Sequence, residues 1–143
     1  MRDGDVALSE GIPLPLLVTG IAGVAGYNAF RFFQERYPGQ VVGIRRADNW
    51  RLRGDGVEPC DTHDRVALAR LLERHRFGAV LNCEGLCKLK SCEYDHELAR
   101  QVNVAGTANL LDLVSPATRL VHVSVDLVYS GRVGAFVGSV RCV

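Results

Sequence analysis

"LLVTGIAGVAGYNAF", residues 16–30, sets Gly20, Gly23 and Gly26 at every third position between an apolar run and a segment of helical character. The apolar run is short and continuous, as in a strand buried on both faces. Residues 23–36 read as a helix, stopped by Tyr37-Pro38-Gly39. A glycine-rich turn between a strand and a helix is the setting of a dinucleotide-binding fingerprint. Gly20 would permit the tight turn, and Gly23 would let backbone N–H groups approach a pyrophosphate. Gly26 would let the helix pack close to the sheet. The helix N-terminus adds partial positive charge for phosphates. Turns also recruit glycine for steric reasons alone, so the motif takes its weight from its surroundings.

Working outward, the chain alternates. Strands are expected at "LPLLVT" (14–19), "QVVGI" (40–44), "VEPC" (57–60), "FGAVLNC" (77–83) and "RLVHVSV" (119–125). Pro59 suits an edge or a strand end. Residues 47–56 are polar and Gly-rich, hence loop. "HDRVALARLLERH" (63–75), capped by Asp61 or Thr62, has helical spacing, and residues 93–114 read as one long helix. Strands alternating with helices imply right-handed βαβ crossovers and a parallel sheet covered on both faces. The expected fold class is α/β, the N-terminal part of a Rossmann-like doubly wound sheet with about five strands in the order 3-2-1-4-5.

The 143 residues suffice for one domain with a real core. Hydrophobic residues make up 48% and charged residues 23%, an ordinary globular balance. With a net charge of +1, nothing argues for nucleic acid or a membrane surface as partner. Residues 12–30 are apolar, yet Asp3, Asp5 and Glu10 outweigh Arg2 ahead of them, and three glycines and Asn28 interrupt the run. These flanks argue against a signal peptide. The expectation is a cytoplasmic protein with a flexible tail over residues 1–13 and its five cysteines as thiols.

Thr19-Gly20-Ile21-Ala22-Gly23-Val24-Ala25-Gly26 matches TGxxGxxG, and four further segments agree with the same source. These are "CDTHD" (60–64), "VLNCEG" (80–85), "CEYDHELARQVNVAGTANLLD" (92–112), with its "VNVxGTxNL" core, and "LVHVSVDLVYSG" (120–131). Together they resemble the extended short-chain dehydrogenases/reductases, and the last segment resembles the dTDP-4-dehydrorhamnose reductase-like branch. The resemblance implies an NAD(P)-binding domain over residues 14–131 and a nicotinamide dinucleotide as ligand, with a nucleotide sugar as possible substrate. It places Thr19, Gly20, Gly23, Val24 and Gly26 at the phosphates, Asp61 on the adenine side and Asn82 along the cofactor. Ser124 matches the family's catalytic Ser/Thr, and Asn103 its fourth-helix Asn. Asp126 matches a site-shaping Asp.

Each residue also has a plain reading. Ser124 could simply satisfy nearby backbone at a strand end. Asn103 lies on a stripe with Ala99, Gly106, Leu110 and Leu113, where a purely structural hydrogen bond would serve equally well. Arg45 and Arg46 follow the second strand, where an acid would grip the ribose 2′-OH of NAD and an Arg accepts the 2′-phosphate of NADP. They favour NADP(H) over NAD(H), or else are solvated loop charges.

Several positions depart from the family. Glu84 stands where a small residue faces the cofactor, and Lys90 replaces a usual Asp. Cys83, Cys87, Cys92 and His96 are spaced C-x3-C-x4-C-x3-H, unlike paired zinc motifs, and no metal is expected. The family's proton donor is a Tyr four residues before a Lys. Here Tyr27, Tyr37, Tyr94 and Tyr129 are followed at that distance by Arg31, Val41, Leu98 and Val133. The sequence therefore reads as the cofactor-binding portion of a sugar-nucleotide reductase/epimerase-like oxidoreductase, cut short, without the Tyr-x3-Lys pair or the substrate domain. Residues 132–143 would be a short tail outside the family. The alternatives are a non-catalytic nucleotide-binding or regulatory module of the same fold, and a product with no stable fold. An incomplete sheet would leave Leu120, Val121, Val123 and Val125 partly uncovered and open to self-association.

Overall fold

The computed structural model describes residues 11–124. Its five strands are β1 (Leu16–Thr19), β2 (Val41–Arg45), β3 (Val57–Pro59), β4 (Ala79–Asn82) and β5 (Arg119–His122). All pair in parallel, in the order β3-β2-β1-β4-β5, as the alternation of elements predicts. Helix α1 (Val24–Arg36) connects β1 to β2, and α2 (Arg65–His75) connects β3 to β4. The last crossover holds α3 (Leu89–Tyr94), α4 (His96–Arg100), a π-helical turn (Gln101–Ala105) and α5 (Gly106–Leu113).

The continuous apolar run of β1 has a direct cause. Successive side chains alternate between faces, and both faces are covered. Leu16 and Val18 join Ile21, Phe30, Val41 and Ala79 beneath α1. Leu17 joins Val42, Ile44, Val80 and the helix residues Leu68, Leu71 and Leu110 on the opposite face. Strand order reverses between β1 and β4, so the turns after these two strands meet at the carboxyl end of the sheet. That is where open α/β sheets bind ligands.

Three expectations need correction. Asp64, rather than Asp61 or Thr62, caps α2: its carboxylate accepts from the amides of Val66 (3.1 Å) and Ala67 (3.0 Å). The reason is that Thr62 is buried and engaged elsewhere. The single helix over residues 93–114 is instead broken at Asp95 (φ −135°), whose side chain caps α4 by accepting from the Leu98 amide at 2.9 Å. The π-helical turn then inserts one extra residue per turn before α5. Despite this, Ala99, Gly106 and Leu110 are buried, and Asn103 and Leu113 partly so. Finally, β5 ends at His122, not at residue 125, leaving Ser124 two residues past the strand.

Leu120 packs against the α2–α5 side of the core. Val121 and Val123 are 50% and 44% exposed, on β5 at the edge of the sheet among the described residues and just beyond it. Val125 lies outside the described residues, as do Asp126, Tyr129 and the 132–143 tail.

A methyl group on Gly26 would lie 2.2 Å from the Gly20 carbonyl oxygen, a backbone atom that cannot swing away. Gly26→Ala is therefore expected to lower unfolding stability by roughly 1–3 kcal/mol, as overpacking does. Gly11 has nothing within 4 Å, and Gly11→Ala serves as the neutral control in the same urea titrations.

Candidate functional site

The turns after β1 and β4 are in backbone contact. Gly20 adopts φ +66°, and a Cβ there would sit 2.6 Å from the Cys83 carbonyl oxygen and 2.7 Å from the Glu84 nitrogen. Only glycine satisfies both the dihedral and the approach. Just beneath lies a polar row. Thr19 and Asn82 face each other in register across β1 and β4, and Asn82 faces His122 across β4 and β5. Thr19 Oγ1 donates to Asn82 Oδ1 at 2.5 Å and accepts from the Glu84 amide at 3.2 Å. Asn82 Nδ2 reaches Thr107 Oγ1 of α5 at 3.3 Å and His122 Nδ1 at 3.0 Å. Thr19 and Asn82 are almost wholly buried, so their side chains hold the turns from below.

Above them opens a cleft of about 170 Å³, bordered by Gly20, Gly23, Arg45, Arg46, Glu84 and Val102 among others. Gly23 is exposed at the start of α1, and Val24, 82% exposed, follows it. A second hollow on the outer side of the glycine turn is lined by Gly23, Val24, Asn49 and Arg51. Arg51, whose guanidinium lies over the Trp50 ring, brings a cation to the turn that sequence spacing does not single out.

The charges around the cleft are mixed. Arg46 makes a paired contact with Asp48, Nε to Oδ1 at 3.1 Å and a terminal nitrogen to Oδ2 at 2.8 Å. That contact raises the Arg46 pKa and lowers that of Asp48. Arg45 donates to the carbonyl oxygens of Arg46 (2.9 Å) and Ala47 (3.3 Å), while its Nε is buried with no partner. Asp61 accepts from the Ala47 amide at 3.3 Å, steadying the loop after β2. Glu84 accepts from Thr62 Oγ1 at 2.5 Å. Burial nevertheless holds its carboxyl above the ordinary pKa, with Asp61 adding to the shift and His63 and Arg46 opposing it. Burial also raises Cys83, and raises Cys60 to about 11 with help from nearby carboxylates, so both sulfurs stay protonated.

Asn103 has a definite task. Its Oδ1 accepts from the Leu86 amide at 2.7 Å, and its Nδ2 donates to the Leu86 carbonyl at 3.1 Å. Both ends of the amide thus clamp the loop leaving β4. Ser124 is exposed and does not border the cleft. Among the described residues no group of three or more His, Cys, Asp or Glu could hold a metal. No helix among them is long and apolar enough to cross a membrane. The Thr62–Glu84 contact and the Asn109 donation to the Thr62 (3.0 Å) and His63 (3.2 Å) carbonyls escaped sequence reasoning. Each joins residues far apart in the chain, so no local pattern announces them.

The surroundings fit an anionic dinucleotide. A Cβ on Gly23 would meet nothing closer than the Gly20 oxygen at 3.4 Å, so the space over that backbone is open. Arg45, which also borders the cleft, carries a buried Nε with no partner.

Comparison with known proteins agrees with this geometry. Residues 16–135 match the profile of a family described as "NAD dependent epimerase/dehydratase family". A "dTDP-4-keto-6-deoxy-D-glucose reductase" of Streptomyces niveus is 29% identical over 116 residues, 80% of this chain and 36% of that protein. A hypothetical dTDP-4-dehydrorhamnose reductase from Sulfolobus tokodaii superposes with a TM-score of 0.72 at 22% identity, over 85% of this chain and 42% of that one. An L-threonine dehydrogenase from Phytophthora infestans gives 0.68 at 25% identity, over 80% and 37%. The chain thus spans well under half the length of these relatives.

Asn103→Ala removes both of its hydrogen bonds to Leu86, leaving the amide unpaired and the carbonyl with only the Cys92 thiol as donor. We expect a loss of about 1 kcal/mol, the usual worth of such bonds at a half-buried site. Hydrogen exchange at the Leu86 amide should accelerate while exchange in β1 changes only with global stability. An unchanged Leu86 rate would refute the clamp.

Proposed function

The chain belongs to the NAD-dependent epimerase/dehydratase family, and on that premise we propose that residues 14–131 form the dinucleotide-binding portion of a sugar-nucleotide reductase- or epimerase-like oxidoreductase. The observation that carries this reading is the seat of the glycine turn. Gly20 is locked against the turn after β4, so the open backbone at Gly23 and the start of α1 face the cleft. The first amides of a helix have no partners within the helix and suit phosphate oxygens. In this reading Gly20, Gly23, Val24 and Gly26 shape the phosphate site, with Thr19 and Asn82 supporting it from beneath. Asp61 faces the adenine side. A bound nicotinamide cofactor would supply the hydride.

Arg45 and Arg46 give the domain a preference for NADP(H). An Arg holds a 2′-phosphate with paired, charge-assisted hydrogen bonds. The unpartnered Arg45 Nε supports this, and Arg46 is already near the cleft but shared with the exposed Asp48. Ser124 would polarise a substrate carbonyl. The sequence offers no Tyr-x3-Lys to deliver the proton, and losing positioned acid catalysis removes about 10²–10⁴-fold in rate. We therefore expect no hydride transfer from these 143 residues alone.

A second reading, a non-catalytic nucleotide-binding module, is favoured by Glu84, whose carboxyl borders the cleft where the family has a small side chain. Val121 and Val123 support self-association through the outer strand. Sedimentation of the parent and of Val121→Lys separates that from a monomer.

Calorimetric titration should show NADP+ binding roughly 10–100-fold tighter than NAD+, the worth of one or two charge-assisted hydrogen bonds. Changing both arginines to Ala should erase the difference. Asp48→Asn, which releases Arg46, should widen it. Equal affinities in the parent would rule out the preference. Incubation with NADPH and 4-keto sugar nucleotides should give no turnover, and turnover abolished by Ser124→Ala would show that a proton donor had been missed.

A further inference from the structure

Glu84 is a carboxyl group placed where an anion is expected to bind, and the fold has not turned it outward. Its amide is held by Thr19 Oγ1 and Asn82 Oδ1, both at 3.2 Å, and its side chain by Thr62 Oγ1. Backbone and side chain are therefore both fixed at the border of the cleft. Thr62 cannot retreat either, because its hydroxyl and Cβ press on the Gly106 backbone, where a methyl would lie 2.3 Å from Thr62 Oγ1.

We infer that Glu84 makes dinucleotide binding proton-linked: its carboxyl takes up one proton from solvent as the cofactor covers it, so affinity falls as pH rises. This rests on the dinucleotide reading of the cleft. The groups around Glu84 are Asp61 and His63 from the loop after β3, Arg46 after β2, the buried thiol of Cys60, and Arg45 across the same cleft. Cys83 adjoins it in sequence, and Val102 and Gly106 on the helical side carry no charge. Burial already favours the protonated form in the free protein, despite the Thr62 hydrogen bond, His63 and Arg46. A bound dinucleotide adds two phosphate charges nearby and removes water, and both effects push the same way.

The sign follows from linkage. Below the free-state pKa of Glu84 the proton is present in both states, and affinity is at its acid plateau. As pH climbs from there to the bound-state pKa, binding must draw in a proton and weakens. Above the bound-state pKa it levels off. Each unit between the two pKa values is about a tenfold change in affinity.

The test is calorimetry with NADP+ from pH 5.5 to 8.5, in paired buffers of different ionisation enthalpy, on the parent and Glu84→Gln. The amide keeps an acceptor for Thr62 but cannot titrate. The parent should take up protons and lose about tenfold or more in affinity relative to Glu84→Gln across the range. The 2′-phosphate of NADP+ titrates in both proteins and cancels. Should Glu84→Gln fail to fold, uptake by the parent with NAD+, which lacks that phosphate, decides the matter. His63→Gln removes the imidazole nearest Glu84, and parent-like uptake should persist in it. Parallel profiles in parent and Glu84→Gln, no uptake with NAD+, or uptake lost only in His63→Gln would overturn the assignment. No binding of either cofactor at any pH would overturn the dinucleotide reading itself, and this proposal with it.

Discussion

Thr19 Oγ1 and Asn82 Oδ1 meet at 2.5 Å inside the sheet, at the point where strand order reverses. Two buried polar side chains would be a liability if unpaired. Here each supplies what the other lacks, and their remaining capacity is spent on Glu84, Thr107 and His122. The row ties β1, β4, β5 and α5 together one layer below the glycine turn. Because it fixes the ends of β1 and β4 relative to each other, Gly20 can lie against the Cys83–Glu84 backbone with no room for a side chain. The cleft exists because these two turns are pinned in contact.

Electrostatics then decide what the cleft prefers. A helix N-terminus and two arginines bring positive charge to the cleft, while Asp48 pairs with Arg46 and Glu84 adds a carboxyl group. Burial raises the Glu84 pKa, which lowers the cost of neutralising it when an anion arrives. An anion-binding site that tolerates a carboxyl group must either neutralise it or hold it away, and Thr62 prevents the second.

Much of this was legible in the sequence. The apolar run of β1, the glycine spacing and the alternation of elements lead to a doubly wound parallel sheet in the order found. The stripe from Ala99 to Leu113 also survives, although a π-helical turn interrupts it. What was not legible depended on contacts between distant residues. Asp61, Thr62 and Asp64 are equally good caps by composition, and only the burial of Thr62 against Glu84 and Gly106 leaves the task to Asp64. The break at Asp95 is a local choice between continuing one helix and capping another, which propensity leaves nearly even. Asn103 could have served chemistry or packing, and its two bonds to Leu86 show a structural use.

The chain also has a hollow of about 540 Å³ at the opposite end of the sheet, bordered by Leu72, Phe77, Leu113 and Thr118. The hollow on the outer side of the glycine turn is of similar size, about 560 Å³, so size does not choose between the two ends, whereas the proposed reading puts the ligand at Gly23. Backbone amide spectra recorded during addition of NADP+ separate the two directly. The account predicts progressive shifts at Gly20, Gly23, Val24, Glu84 and Gly85, with Phe77, Val114 and Thr118 unmoved. Shifts confined to those last three residues would contradict it.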